Sequence, residues 1–130
     1  MLHTLQVFLG GILAHAPDLT ALTNPTVNSF KRINAAALPT GAPLGPPANA
    51  ITYGGNNRTH LIRIPSGGRF EVRISDGAAN PYLLQAAILA AGLDGIANKT
   101  EPGKRLDISD CGAQPVPGIG TPWPMTKRMR

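Results

Sequence analysis

The sharpest chemical pattern in the 130 residues is Arg69-x-Glu71-x-Arg73. In an extended strand, side chains alternate faces, so these three share one face while Phe70, Val72 and Ile74 take the other. Neighbours on one face lie ~7 Å apart, from a rise of ~3.3 Å per residue. A row of guanidinium, carboxylate and guanidinium suits a polyanion bridged by a divalent metal. The Arg pair can fork onto phosphate or carboxylate oxygens, and the Glu offers a hard oxygen ligand. The plain alternative is a solvated, salt-bridged sheet face worth little energy. Arg58 and Arg63 precede this row. Their five-residue separation puts them on opposite faces of a regular strand, so either Arg58 belongs to a turn or a bulge re-aims one of them. His15 and His60 are too isolated to suggest a metal site.

The charge distribution agrees with a focused anion site. The chain carries a formal net charge of +5. Residues 58–73 hold four Arg against one Glu, the last ten residues hold Lys127, Arg128 and Arg130, and the remainder is close to neutral. A uniformly basic nucleic-acid coat is thereby disfavoured, and with aromatics at 5% no stacking platform is apparent. One cysteine, Cys111, excludes an internal disulfide and any Cys-based zinc cluster. A reducing, cytoplasmic setting is the default expectation. Residues 7–16 (VFLGGILAHA) look superficially like a signal segment but lack a basic flank. No run reaches the ~18 apolar residues of a membrane span.

The elements that must position these residues are readable in outline. Residues 2–22 predict a helix weakened by Gly10-Gly11, with Pro17 ending it or starting a new turn. Residues 27–33 form a short helix or extended segment. Residues 34–49, with four prolines and no charge, predict a long irregular loop suited to a lid. Strands are expected at 50–53, 58–64 and 69–74, the last two joined by a hairpin through Pro65-Ser66-Gly67-Gly68. Asn80 as N-cap and Pro81 at the first helical position open a helix reaching about Asn98, its apolar stripe built from Leu83, Leu84, Ala87, Ile88, Ala91 and Leu93. Gly and Pro make up 28 of 130 residues, which predicts long loops. The expected fold class is α+β, a partial antiparallel β-sheet flanked by helices. Residues 1–109 form the structured part, and 110–130 a Pro-rich tail, disordered or non-native.

Four segments carry a family likeness. Residues 20–33 (TALTNPTVNSFKRI), 57–65 (NRTHLIRIP), 69–73 (RFEVR) and 76–96 (DGAANPYLLQAAILAAGLDGI) resemble, in order and spacing, consecutive motifs of the C-terminal catalytic part of glutamine synthetases. GNNRTH and NPYLLQA are most similar to the branch that includes γ-glutamylmethylamide synthetase. The resemblance implies ATP-dependent phosphorylation of the glutamate γ-carboxylate with Mg2+ or Mn2+, followed by displacement of phosphate by ammonia or, in some branches, an amine. It implies that Arg32 and Arg73 hold substrate, that Arg58 and Arg63 face the transferred phosphoryl group, that Arg58, Arg63 and Arg69 contact ATP, and that Glu71 is a metal ligand. It also implies a cytoplasmic homo-oligomer with no nucleic-acid or membrane partner. Many members carry a flap Glu after the Lys-Arg pair, but residues 33–57 contain no Asp or Glu. The family's other acidic ligands, its metal-binding His and its ATP loop lie upstream of the matching region. The chain is therefore expected to be a fragment, inactive alone. The alternatives are an amine-using ligase of the same type and a non-catalytic remnant that binds anions or docks on synthetase subunits.

Overall fold

The computed structural model describes residues 2–33, 50–56, 58, 60–106 and 121–122. The lid-like loop at 34–49, Cys111 and most of the tail assigned to 110–130 lie outside the described residues. Helices α1 (Leu2–Ala14), α2 (Ala16–Thr23), α3 (Val27–Ile33) and α4 (Pro81–Asn98) surround strands β1 (Ala50–Gly54), β2 (His60–Ser66) and β3 (Arg69–Val72), with Thr121–Pro122 as a two-residue β4. The sheet order is β3-β2-β1-β4.

The expected α+β arrangement of sheet and helices is present. One ladder differs from the antiparallel expectation: β1 and β2 run parallel, while β2–β3 and β1–β4 are antiparallel. Parallel neighbours ordinarily need a long crossover. Here β1 is only five residues long, so the span back to its start is short. Pro122 sits on the edge β4, where its missing N–H is tolerated.

The first helical segment is two helices, bent by 71° at His15. Pro17 opens α2, where the absent N–H is harmless. Among the described residues, no single helix is long and apolar enough to cross a membrane. Helix α4 forms as its sequence predicts. The Asn80 side chain accepts from the backbone N–H of Tyr82 (3.0 Å) and Leu83 (3.3 Å), and Lys99 closes the helix in the left-handed conformation at φ 52°.

The buried face of α4 keeps Ala87, Ile88 and Ala91 of the expected stripe but excludes Leu83 and Leu93. Ala91, Gly92 and Gly95 are buried, with Ala87 and Ile88 packed beside them, whereas Leu83, Leu89 and Leu93 are 52%, 56% and 60% exposed. The reason is the α1–α4 contact. A Cβ on Gly95 would stand 2.3 Å from the Val7 carbonyl oxygen and 2.6 Å from Cα of Gly11; one on Gly11 would stand 2.2 Å from the Ala91 carbonyl. The two helices touch backbone to backbone. Glycines that weaken each helix in isolation make their crossing possible, and the leucines are turned outward by it.

Gly92 leaves room for the Phe8 ring, which meets Phe70 of β3 at 6.1 Å between centroids. The helices are thereby joined to the sheet. Leu9, Ile12, Leu61, Ile62 and Ile74 fill the core between them. A buried polar latch adds a second tie: Thr23 Oγ1 donates to Asn24 Oδ1 (2.7 Å), Asn24 Nδ2 donates to the Ile74 carbonyl (3.0 Å), and the Asp76 N–H donates to the Thr23 carbonyl (2.9 Å). This fixes the chain just after Arg73 to the end of α2.

Helix propensity and packing predict opposite outcomes for Gly95→Ala. Alanine favours an isolated helix by ~1 kcal/mol. Overpacking at this crossing is expected to win, with a net loss of about 1–3 kcal/mol in chemical denaturation.

Candidate functional site

The antiparallel register of β2 and β3 places Arg63 directly opposite Glu71. Their side chains meet, with Arg63 Nη1 donating to Glu71 Oε2 at 2.7 Å. Arg69 approaches from two residues away on the same strand, its Nη2 donating to Glu71 Oε1 at 3.3 Å. Both carboxylate oxygens are thus held by guanidinium groups. Arg73 continues the row; its charge also acts on Glu71, and its backbone N–H donates to the Leu61 carbonyl at 2.8 Å. Phe70, Val72 and Ile74 pack on the core side, as strand alternation requires.

The Arg63 hydrogen bond holds the Glu71 carboxyl below its ordinary value near 4.5. Burial opposes this, and the charges of Arg63, Arg69 and Arg73 reinforce it. The arrangement is a cationic patch with one ionised carboxylate at its centre. It can bind oxyanions through the N–H groups not spent on Glu71, and Glu71 can offer oxygen to a cation.

Arg58 lies in the turn before β2 and is exposed. The turn alternative therefore holds, and the odd spacing from Arg63 is no obstacle. Among the described residues Arg58 makes no hydrogen bond or ion pair with Arg63 or Glu71. Arg32 falls within α3, and its side chain lies outside the described residues. The structure thus brings together Arg63, Arg69, Glu71 and Arg73, and leaves Arg58 apart from them in the turn.

The residues at hand do not by themselves form a metal centre. No group of three His, Cys, Asp or Glu side chains converges among the described residues. Mg2+ demands near-octahedral oxygen coordination, and one carboxylate gripped by two guanidiniums cannot supply it. His60 is buried, its Nδ1 2.9 Å from Thr52 Oγ1.

Two features escaped the sequence reading. Asn56, in the bend after β1, accepts from Arg63 Nε at 3.0 Å and also from Arg63 Nη2. The GNNR run marks this stretch only as a turn. His15 meets Asp94 across the α1–α4 contact at 2.8 Å, and Asn98 donates to the same carboxylate at 2.9 Å. These bonds, the His15 one foremost, lower the Asp94 carboxyl from its ordinary value. The pair edges a cleft of about 430 Å³ whose walls include Asp18, Leu19, Leu22 and Ala87. It is an open, mostly apolar groove with no hydroxyl or thiol in its lining, so the His–Asp pair has no nucleophile to activate there.

Residues 1–116 match the family model described as "Glutamine synthetase, catalytic domain". The chain is 59% identical over 103 residues to a glutamine synthetase of Rhizobium leguminosarum bv. phaseoli, covering 79% of this chain and 23% of the relative. It is 52% identical over 93 residues to a glutamate–methylamine ligase of Methyloversatilis universalis, covering 72% of this chain and 20% of the relative. Among solved structures, it is similar to ligand-free GmaS at a TM-score of 0.71 and 59% identity, and to a GmaS/ADP complex at 0.72 and 62%. Each superposition covers 82% of this chain, and 23% or 24% of the other. The chain therefore spans about a quarter of the length of the relatives it matches.

The clamp on Glu71 sets a pH dependence. Because its folded pKa is depressed, its contribution to stability is complete above about 4.5 and is lost as pH falls through the lower folded value. Carbon-13 NMR of the Glu71 carboxyl is expected to titrate below 4.5 in the wild type, and to move up toward 4.5 in Arg63→Gln.

Proposed function

The chain belongs to the glutamine synthetase catalytic-domain family, and from that premise we propose that it supplies the cationic wall of an ATP-dependent ligase site acting on glutamate. The observation that carries this reading is the convergence of Arg63, Arg69 and Arg73 around Glu71 on a single sheet face.

The reaction begins when a γ-carboxylate oxygen of glutamate attacks the γ-phosphorus of ATP. The bond to the bridging oxygen breaks and ADP leaves. The resulting γ-glutamyl phosphate is then attacked at its acyl carbon by ammonia, and phosphate departs. Both steps develop negative charge on oxygens. Preorganised cations at those positions lower the barrier without reorganising during the reaction. In this assignment Arg63, with Arg58, faces the transferred phosphoryl group, Arg69 adds a contact to the nucleotide phosphates, and Arg73, with Arg32, holds the glutamate carboxylate. Glu71 has two functions. It keeps the neighbouring guanidiniums spaced, and its carboxylate would serve as an oxygen ligand to the family's divalent ion, which would polarise phosphate oxygens. The remaining ligands come from other parts of the family polypeptide, so the isolated chain is assigned no turnover. The assembled protein is proposed to be a homo-oligomer, as in the family.

A second reading keeps the same site but takes an amine in place of ammonia. The similarity to a glutamate–methylamine ligase and to the two GmaS structures supports it. A third treats the chain as a subunit-docking remnant. The exposed Leu89 and Leu93 of α4 support that one, because contiguous apolar surface on a helix is ordinarily covered.

A chimaera decides among them. The aligned segment of the Rhizobium leguminosarum relative is replaced by this chain, and product is measured with ammonia and with methylamine. Activity is expected in the chimaera and not in the isolated chain. Arg63→Ala is expected to lower kcat by roughly a hundredfold. A chimaera that folds and assembles but forms neither amide would sink the ligase reading and leave the docking remnant. Preference for methylamine would select the second reading.

A further inference from the structure

Arg63 is a half-buried arginine held from two sides. A guanidinium carries five N–H donors and accepts nothing. Nε–H and one Nη2–H go to Asn56 Oδ1, and one Nη1–H goes to Glu71 Oε2. Three donors are spent and two remain. The Asn56 contact takes the side edge of the guanidinium, and the Glu71 contact takes the other terminal nitrogen. Together they fix the plane in both rotation and tilt. One contact alone would leave the group free to swing about its remaining axis.

The bend bearing Asn56 is itself anchored. The Ile64 N–H donates to the Gly55 carbonyl at 3.3 Å, tying the end of β1 to the strand that carries Arg63. The parallel β1–β2 register, with Gly54 beside Arg63, brings this bend to the Arg63 side chain. The placement is therefore a product of the sheet and not of a mobile side chain reaching across solvent.

We propose that Asn56 is a positioning residue: it holds the side edge of the Arg63 guanidinium so that the two uncommitted N–H groups face an incoming phosphate oxygen. The proposal rests on the anion-binding reading of this patch given above. Asn56 need not touch substrate, and the bond it makes is to a neutral amide oxygen. It therefore orients Arg63 without cancelling its charge, whereas Glu71 orients and partly neutralises it.

The test uses the full chain and two readouts. Hydrogen exchange at Arg63 Nε–H is followed by nitrogen-15 NMR, the resonance being assigned by its loss in Arg63→Lys. Inorganic pyrophosphate is then titrated, and its Kd is read from the same resonance. Asn56→Ala is expected to speed Nε–H exchange about tenfold, as loss of one hydrogen bond of ordinary strength implies, and to weaken pyrophosphate severalfold. Asn56→Asp keeps an acceptor oxygen in place and is expected to restore slow exchange. Backbone amide spectra check that each variant is folded. Unchanged exchange in folded Asn56→Ala overturns the clamp. Faster exchange with unchanged pyrophosphate affinity overturns the positioning role and leaves a merely structural bond. Pyrophosphate that leaves wild-type Arg63 unmoved removes both the anion-site reading and the positioning role, while the exchange measurement still decides the clamp.

Discussion

The backbone contact between α1 and α4 is the constraint on which the other packing depends. Gly11 and Gly95 allow the helices to approach until a single methyl group would collide with main-chain atoms. That approach sets which side of α4 is buried. It also lets the Phe8 ring pass over Gly92 to Phe70. Because Phe70 is flanked by Arg69 and Glu71, the same contact fixes which way β3 turns its charged face. The Asn24 bond to the Ile74 carbonyl then holds the strand beyond Arg73. The position of the site is in this sense a consequence of helix packing on the far side of the sheet.

Within the site, electrostatics works by concentration. Three arginines on adjacent strands would repel one another if left alone. Glu71 relieves part of that repulsion by taking Arg63 and Arg69 on its two oxygens, and its own carboxyl is driven further toward the ionised form in return. The net charge of the patch remains positive. Such a patch is ready for an anion but is a poor metal site by itself, which is consistent with a chain that spans about a quarter of its relatives. The exposed leucines of α4 belong to the same picture, since they are apolar surface with no cover among the described residues.

Much of this was legible in the residues. The cap of α4 was readable because Asn80 and Pro81 act through local geometry alone. The sharing of one face by Arg69 and Glu71 followed from the two-residue period of a strand. The stripe on α4 was right at Ala87, Ile88 and Ala91 and wrong at Leu83 and Leu93. Hydrophobicity favoured Leu83 and Leu93 for the core, while the chain buries Gly92 and Gly95 in their stead. Glycine carries no hydrophobic signal, and its value here is the absence of a side chain, which matters only once a partner helix is present. The parallel β1–β2 ladder was likewise hidden, since adjacent strands with a short connection ordinarily form a hairpin.

The sequence alone determined the family, the capped start of α4 and the charged face of β3, because each is encoded in contiguous motifs and short-range periodicity. The tertiary structure alone decided that Arg63 stands opposite Glu71, that Asn56 closes on the same guanidinium, and that His15 reaches Asp94. Those pairings depend on strand register and helix crossing. Both are set by packing between segments distant in the chain, and no local pattern of residues specifies them.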